Sequence, residues 1–324
     1  MSLLHLVTGG AGFVGSHLVA ALVARGDRVR VLDDLSTGRP TNLEGLEVGE
    51  LGSGAPVEFQ EGSVTDAEAV GRATLGVTGV LHEAAQVSVP LSVERPVRSV
   101  EINALGTLTV LEAARRNGVR RVVLAASSAA YGNNEVLPKH EDMPVAPLSP
   151  YAVGKVAAEQ LMTVYAGLHG LHTTSLRYFN VFGPRQADDS PYTGVIAIFA
   201  RRILSGLPVT INGDGSHSRD FTYVDDVVQA NLRALDADHA PGRVYNVGAG
   251  ASTTIEQLYR SIARLAGSDA EPSFGVERAG DVKHSLASLD RIRAELGYEP
   301  GVTFEEGLRR TFEWYRSNAP AGSR

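Results

Sequence analysis

A tyrosine and a lysine one helical turn apart are the residues of this sequence best suited to acid-base chemistry. Tyr151 and Lys155 are spaced i, i+4 after a Ser-Pro pair that predicts a helix start, and the helical pattern runs to about His169. An ammonium beside a phenol favours the phenolate, which brings the tyrosine pKa from about 10 towards the working pH. Tyr151 is therefore a candidate general base, although the Y-x-x-x-K pattern alone is equally typical of an exposed helix face.

A serine pair supplies a hydroxyl that could relay a proton to this tyrosine. Ser127 and Ser128 follow a predicted strand at residues 122–125. Their spacing from the Tyr-Gly pair at residues 131–132 favours Ser127 as the relay, whereas Ser128 is typical of a residue that caps the next turn. The predicted catalytic set is therefore Ser127, Tyr151 and Lys155.

A glycine-rich segment at residues 8–15 follows the first predicted strand and opens the first predicted helix. Gly12 and Gly15 complete a G-x-G-x-x-G spacing with Gly10, or a G-x-x-G-x-x-G spacing with Gly9. Glycines allow a tight turn and let the backbone touch a pyrophosphate, which the helix N-terminus then stabilises. The segment predicts a dinucleotide site.

An aspartate at the end of the second predicted strand indicates which dinucleotide binds. Asp33 lies 23 residues after Gly10, where a carboxylate can accept both ribose hydroxyls and would repel a 2′-phosphate. NAD is therefore favoured over NADP. Two alternatives stay open: Arg39 could pair with such a phosphate, and Asp33 with Asp34 could simply form a solvated turn.

Strand-like and helix-like segments alternate along the first third of the chain. The strand-like runs lie at residues 4–7, 29–32, 77–81 and 122–125, and helical runs at 16–24 and 104–116. Alternation of this kind requires crossovers and predicts an α/β fold, a Rossmann-like doubly wound parallel sheet. The Gly-rich stretch at residues 45–56 is predicted to be a surface loop.

Glycine and proline interrupt this alternation beyond Asn180, which indicates a smaller, interleaved C-terminal substrate lobe. The segment 243–247 is predicted to be a strand that returns to the main sheet. The expected division assigns residues 1–176 and about 217–247 to an NAD-binding Rossmann domain, and about 177–216 and 248–324 to the substrate lobe.

Composition excludes several classes of function. The formal charge of -7 gives no broad basic field for nucleic acid, and the absence of cysteine excludes disulfides and thiolate metal sites. The histidines have no metal-protease spacing, so no metal is expected. No run of eighteen apolar residues predicts a membrane span, and a cytoplasmic protein is expected.

Further motifs extend the pattern along nearly the whole chain. They are TGGAGFVG (8–15), DDLSTG (33–38), HEAA (82–85), SSAAYG (127–132), SPYAVGK (149–155), LRYFNVFGPRQ (176–186), GDGSHSRDFTYVDDV (213–227), YNVG (245–248) and RAGDVKHS (278–285). With these motifs the chain resembles the extended short-chain dehydrogenase/reductases, and within them the UDP-galactose 4-epimerases and their UDP-N-acetylglucosamine and UDP-glucuronate relatives.

The resemblance implies roles for individual residues. It implies an NAD site made of Gly9, Gly12, Phe13, Val14, Gly15, Asp33, Asp34, Ser36, Thr37, Gly38, Ser63, Val64, Ala84, Ala85, Asn103, Tyr151, Lys155 and Tyr178. It implies a UDP-sugar site made of Ser127, Tyr151, Asn180, Val195, Arg219, Arg278, Asp281 and Ser285. Within these sets Tyr178 would pack beside the nicotinamide, and Asn180 with Arg219 would hold the diphosphate.

Several neighbouring residues have an equally simple structural interpretation. Phe179 and Phe182 are expected to be core residues, and His82 a satisfied polar group. Asp220 and Tyr223 are expected either near the substrate or as builders of the turn before the next helix.

The implied reaction is an NAD-dependent 4-epimerisation of a UDP-hexose through a 4-keto intermediate. A 4,6-dehydratase is disfavoured, because in dehydratase relatives an Asp-Glu pair follows the catalytic Ser/Thr, and Ser128 and Ala129 stand there in this chain. A UDP-glucuronate epimerase or decarboxylase stays open, as does a catalytically inactive binding regulator on the same fold.

Two further expectations follow from the resemblance. Ser285 is a small residue where some relatives have a tyrosine, so the sugar pocket should also admit N-acetylhexosamines. The helical stretches 104–116 and 150–169 should pair with those of a second copy in a homodimer.

Overall fold

Parallel strands form the main sheet of the computed structural model, which describes residues 2–187, 194–238, 240–277 and 282–318. The strands are β1 (Leu4–Thr8), β2 (Arg28–Asp33), β3 (Val48–Glu50), β4 (Val57–Glu61), β5 (Gly79–His82), β6 (Arg121–Ser127), β7 (His172–Tyr178), β8 (Val181–Phe182), β9 (Thr210–Asn212), β10 (Ser218–Arg219), β11 (Thr222–Tyr223), β12 (Arg243–Val247), β13 (Thr253–Thr254) and β14 (Ser273–Gly275). The helices are α1 (Phe13–Ala24), α2 (Ala67–Ala73), α3 (Val89–Glu94), α4 (Pro96–Val100), α5 (Gly106–Arg116), α6 (Pro150–His169), α7 (Val195–Leu204), α8 (Val224–Asp236), α9 (Ile255–Ala266), α10 (Asp290–Leu296) and α11 (Phe304–Asn318).

Eight strands make the main sheet in the order β12-β7-β6-β5-β1-β2-β4-β3, and all neighbours are parallel. The chain runs from β1 outward to β2 and then returns to place β5 on the other side of β1. The strand order therefore reverses between β1 and β5, and a crevice lies there at the carboxyl ends of the strands. The Rossmann-like prediction is confirmed, and so is the return of β12 to the sheet.

Strand register brings the predicted site residues to one edge of the sheet. Thr8 of β1 pairs with His82 of β5, and His82 pairs with Leu124 of β6. Ser127, the last residue of β6, pairs with Tyr178, the last residue of β7. Four neighbouring strands thus end around the crevice.

Apolar side chains cover both faces of the sheet. One buried cluster contains residues of α1 and α8, such as Leu18 and Ala230, packed on Val31 and Leu176. The opposite cluster contains residues of α2, α5 and α6, such as Val70, Leu111 and Met162. Burial on both faces explains why the central strands β5 and β6 are nearly continuous apolar runs.

A third buried cluster forms beyond the sheet. It consists mainly of residues from the predicted smaller lobe, such as Phe199, Ile262 and Phe312. Tyr223 and Val224, at the start of α8, pack into the same cluster. The division into two interleaved lobes stays a prediction, and α8 belongs to both.

The predicted loop at residues 45–56 contains a short strand. Val48 of β3 pairs with Val57 of β4 at the outer edge of the sheet. The prediction of a plain loop was wrong because a three-residue edge strand containing a glycine has no readable alternation.

Helix α6 begins and ends where the sequence predicts. The Ser149 side chain accepts a hydrogen bond from the Ala152 N–H, Pro150 is the first helical residue, and Gly170 ends the helix with a left-handed backbone. Among the helices of the described residues, none has the length and apolar character needed to cross a membrane.

Candidate active site

Tyr151 and Ser127 meet at the carboxyl end of β6. Their side-chain hydroxyls are hydrogen-bonded, and Ser127 Oγ also accepts a bond from the Ala129 N–H at 3.2 Å. Because the backbone bond uses Ser127 as an acceptor, its own proton is available for a bond to Tyr151. This contact supports Ser127 rather than Ser128 as the proton relay.

Lys155 lies one turn further along α6 and is buried. Its Nζ donates to the Ala125 carbonyl at 2.7 Å. Burial lowers the pKa of Lys155 to about 8, while the charges of Glu83 and Glu159 act in the opposite direction. Burial also raises the pKa of Tyr151, and the Ser127 hydrogen bond opposes that rise. The structure therefore differs from the expected lowering by Lys155, whose ammonium is engaged with a backbone carbonyl.

The glycines of the turn at residues 9–15 leave no space for a Cβ atom. Gly9 has φ of +67°, and a Cβ there would lie 2.8 Å from the Ala84 nitrogen. A Cβ on Gly15 would lie 2.1 Å from the Gly9 carbonyl oxygen. Gly10 serves packing, since its Cβ would meet the Val31 side chain at 2.8 Å. The turn needs glycine for close approach of backbone to backbone.

Helix α1 begins directly after this turn with Gly12 as its N-cap. No side chain of the described residues caps the helix, and its first turn has no acidic residue. Its first N–H groups, among them those of Phe13 and Val14, are therefore suited to an anionic ligand. The turn and the helix end fit a dinucleotide diphosphate.

Asp33 ends β2 beside this turn, as predicted. One carboxylate oxygen accepts the Ala11 N–H and the other accepts the Leu35 N–H, both at 2.9 Å. These bonds hold the carboxylate while its remaining lone pairs can accept ribose hydroxyls. A Cβ on Gly38 would lie 2.6 Å from Asp33, so glycine keeps this space open.

Asp34 has a different role from Asp33. Its Oδ1 accepts bonds from the Ser36 N–H at 3.0 Å and the Ser36 hydroxyl at 2.6 Å. Asp34, Ser36 and Thr37 are exposed, whereas Asp33 is buried, so the alternative of a solvated turn fits Asp34 but not Asp33.

Four of the residues expected to line the cofactor lie on the loops after β4 and β5. Ser63 Oγ is hydrogen-bonded to Thr65 Oγ1 at 2.9 Å, and Val64 is buried. The half-buried Ala84 and Ala85 follow β5, and the Ala84 N–H donates to Thr8 Oγ1 at 3.2 Å.

Asn103 is committed to the loop after β5. Its Oδ1 accepts the Gln86 N–H at 2.8 Å, and its Nδ2 donates to the Gln86 carbonyl at 3.0 Å. Both ends of the amide therefore help to shape this loop, and the expected cofactor role of Asn103 stays a prediction.

Glu83 is a residue to which sequence reasoning assigned no role. Its Oε1 accepts the Tyr178 hydroxyl at 2.9 Å, and Asn231 Nδ2 donates to the same hydroxyl at 2.7 Å. Burial raises the pKa of Glu83 to about 7. The sequence held one signal that could have identified Glu83: it is an acidic residue in the HEAA motif, directly after a strand that ends at the crevice.

The expected substrate residues of the smaller lobe are partly brought together. Arg219 donates to the Lys283 carbonyl at 3.1 Å, and the Ser285 N–H donates to the Ser218 carbonyl at 3.0 Å. Arg219 and Ser285 therefore lie on adjacent segments. The carbonyl of the half-buried Asn180 accepts the Thr222 N–H at 3.1 Å.

The other expected substrate residues of this lobe are Val195, Arg278 and Asp281. Val195 begins α7 and packs against the third buried cluster. Arg278 and Asp281 lie outside the described residues.

The residues for which a role in the fold was also expected mostly have such a role. Phe179 and Phe182 are buried in the core. His82 is bonded to Thr8 and Thr107 hydroxyls, at 2.7 and 3.1 Å, and burial lowers its pKa to about 3.

Asp220 anchors three loop segments. Its carboxylate accepts the N–H groups of Ala249, Gly250 and Ala287 at 2.7, 3.1 and 3.1 Å. Asp220 therefore has a structural role, which is to join the segment before α8 to the segments at residues 249–250 and 287.

Comparisons with known proteins agree with this architecture. Residues 5–248 match the model of the NAD dependent epimerase/dehydratase family. A UDP-glucose 4-epimerase of Mycolicibacterium smegmatis is 42% identical over 97% of this chain and 99% of its own. The structure of a Thermotoga maritima UDP-glucose 4-epimerase with UDP-glucose is 39% identical, with a TM-score of 0.90 over 97% of this chain and 99% of its own.

A second solved structure bears on the cofactor. It is that of Thermus thermophilus UDP-glucose 4-epimerase in complex with NAD, 40% identical, with a TM-score of 0.86 over 98% of this chain and 100% of its own. The glycine turn, the uncapped α1 and Asp33 fit that cofactor. This chain belongs to the NAD dependent epimerase/dehydratase family.

Proposed function

We propose that this protein is a UDP-sugar 4-epimerase that interconverts UDP-glucose and UDP-galactose and also accepts the N-acetylhexosamine pair. The observation that carries the proposal is the hydrogen bond between Tyr151 and Ser127, next to the buried Lys155 and at the same sheet edge as the glycine turn. A base, a relay and a dinucleotide site on one edge are the parts that oxidation and reduction at one alcohol carbon require.

NAD supplies, when bound, an acceptor for the C4 hydrogen that can give the same hydrogen back. The N–H groups at the start of α1 and the Asp33 carboxylate would hold its diphosphate and ribose. Lys155 would bind the nicotinamide ribose through its ammonium, as the resemblance implies. These residues orient the cofactor and keep it on the enzyme between turnovers.

The protein's own chemistry is a proton transfer at the sugar O4. Tyr151 must ionise to act, and burial opposes this ionisation while the Ser127 hydrogen bond favours it. As phenolate, Tyr151 then takes up the O4 proton, which Ser127 relays. After the 4-keto sugar has turned about its diphosphate linkage, Tyr151 returns the proton to O4 and the C4 configuration is inverted. Arg219 would hold the diphosphate during this rotation, since a guanidinium fork matches phosphate oxygens.

Elimination of water, the dehydratase reaction, needs an additional acid and base near C5 and C6. Ser128 and Ala129, which follow the relay serine, form a short 3-10 turn and carry no carboxyl group. Glu83 is engaged with Tyr178. Epimerisation is therefore favoured over dehydration.

The half-buried Ser285 supports the wider substrate range. Its backbone is fixed by the bond to the Ser218 carbonyl, so its short side chain leaves space on the segment next to Arg219. Replacement by a bulky residue, Ser285→Tyr, should reduce turnover of UDP-N-acetylglucosamine far more than that of UDP-glucose.

One experiment tests the proposed function. The purified protein is incubated separately with UDP-glucose, UDP-N-acetylglucosamine and UDP-glucuronate, and the products are identified by NMR. We expect the C4 epimers of the first two. A 4-keto-6-deoxy product, a decarboxylated pentose, epimerisation of the uronate alone, or no conversion at all would overturn the proposal.

A further inference from the structure

A carboxylate that the proposed reaction does not use lies beside the candidate catalytic residues. Glu83 directly follows β5, and its N–H donates to the Thr8 carbonyl at 3.2 Å, which fixes its backbone to β1. Its side chain accepts the Tyr178 hydroxyl, which in turn accepts the Asn231 amide. This chain of hydrogen bonds connects β5, β7 and α8 across the crevice.

The Lys155 ammonium is bound to the strand next to the one that Glu83 follows. His82 of β5 pairs with Leu124 of β6, so the next residues, Glu83 and Ala125, are neighbours on adjacent strands. Lys155 Nζ donates to the Ala125 carbonyl at 2.7 Å. The ammonium is therefore held one strand away from Glu83.

We propose that Glu83 is a positioning residue of this site, whose carboxylate fixes the Tyr178 hydroxyl at the nicotinamide side and keeps Lys155 protonated by placing a negative charge beside it. The inference rests on the proposed use of Lys155 and adds to it the group that maintains its charge. The acid acts through these two side chains and not on the substrate.

Of the two carboxylates whose charges raise the pKa of Lys155, Glu83 has the larger effect. Glu159 lies one turn further along α6, but it is paired with Arg177, with their side chains joined at 2.8 Å. His82 stays neutral, since burial lowers its pKa to about 3. Tyr151 is one turn back and bonded to Ser127.

Glu83 and Lys155 are both ionised in the pH range where the lysine begins to lose its proton. Burial lowers the pKa of Lys155 to about 8, and Glu83 opposes this. Burial raises the pKa of Glu83 to about 7, and the Tyr178 hydrogen bond with the Lys155 charge opposes that rise. Glu83 is therefore mostly ionised when Lys155 loses its proton, and removing its charge should make that loss easier.

Lysine-selective NMR can measure this directly, because the chain has three lysines, at positions 139, 155 and 283. The protein is labelled with ε-¹³C-lysine, and the signals are assigned with Lys139→Arg and Lys283→Arg variants. Glu83→Gln keeps an acceptor for Tyr178 but removes the charge. We expect the Lys155 midpoint to fall by about one pH unit in Glu83→Gln, as for loss of a nearby opposite charge. The alkaline limb of the kcat profile should move with it.

Two variants and one internal reference separate charge from structure. Tyr178→Phe removes the hydrogen bond that keeps Glu83 ionised, so the Lys155 midpoint should fall by a smaller amount. Glu61→Gln, an exposed acid at the end of β4, should leave it unchanged. The exposed Lys283 should titrate identically in every sample.

The outcomes separate the role of Glu83 from the proposed function. A Lys155 midpoint that is unchanged in folded Glu83→Gln, or in folded Tyr178→Phe if the first variant does not fold, overturns the inference. If no UDP-sugar is epimerised while the midpoint still falls, the proposed function fails and the positioning role of Glu83 stands.

Discussion

Arg177 and Glu159 form a buried ion pair that fastens α6 to β7. The Arg177 Nε donates to Glu159 Oε1 at 3.0 Å, and Nη2 donates to Oε2 at 2.8 Å. The guanidinium also lies 4.8 Å from the centre of the Tyr131 ring. Tyr151 and Lys155 are on α6, and Ser127 is on β6, which neighbours β7. The Arg177–Glu159 ion pair therefore fixes the position of α6 relative to the sheet that carries Ser127.

Breaking this pair should cost much stability. Arg177→Met leaves Glu159 as an unpaired buried charge, which typically costs about 3–5 kcal/mol. Urea unfolding followed by circular dichroism should show this loss. Arg260→Met, which breaks an exposed pair with Glu256, is the control and should leave the unfolding midpoint almost unchanged. Equal effects of the two substitutions would contradict the structural role.

Removal of the Tyr151 hydroxyl should abolish most turnover and preserve binding. Tyr151→Phe loses the proposed base while keeping the ring, so kcat should fall by about 10²–10⁴. Calorimetric affinities for NAD and UDP-glucose should stay within a few-fold. Tyr259→Phe, which removes a hydroxyl bonded to the Ala270 carbonyl in the third cluster, should keep normal activity. Full activity of Tyr151→Phe would remove the proposed base.

Two glycine-to-alanine substitutions should change different properties: one should lower NAD affinity, and the other should raise stability. Gly15→Ala would place a Cβ 2.1 Å from the Gly9 carbonyl oxygen, so the turn must deform and NAD affinity should fall at least tenfold. Gly167→Ala, on the exposed side of α6, meets no atom within 4 Å and should stabilise the protein by about 0.5–1 kcal/mol. Fluorescence titration with NADH and thermal unfolding check both. Unchanged affinity in Gly15→Ala would contradict the dinucleotide assignment of the turn.

An apolar surface around α6 predicts self-association. Exposed apolar side chains on or near α4, α5 and α6 are Val97, Leu105, Val153, Val164 and Leu168. We expect a homodimer in sedimentation velocity, and Leu168→Glu should shift it towards the monomer because a charge would be buried at the interface. Leu75→Glu, at an exposed leucine after α2, should not. A monomeric wild-type protein would refute this prediction.

The sequence predicted the elements whose signals are local. Ser149 and Pro150 indicated the start of α6, and the position of Asp33 after an apolar run indicated the end of β2; both are as expected. The partners of buried polar groups were not readable in this way. Nothing in the sequence indicates that Lys155 donates to Ala125 or that Asn103 bonds Gln86, since these contacts depend on long-range register.

The rise of the Tyr151 pKa was missed for a related reason. Spacing on a helix predicts which side chains are neighbours, but not how much water reaches them. Burial and a backbone acceptor for the lysine therefore outweighed the charge that spacing alone suggested. Glu83 was missed because a single acid in a motif has no periodicity to mark it.

Helix α8 contributes residues to two of the buried clusters, one under the main sheet and one beyond it. Its first residue, Val224, is embedded in the third cluster, and Ala234 and Leu235 near its end are embedded beneath the main sheet. A thirteen-residue helix anchored at both ends cannot bend without losing packing in one cluster or the other. A change in the relative position of these two clusters must therefore take place in the connecting segments on either side of α8.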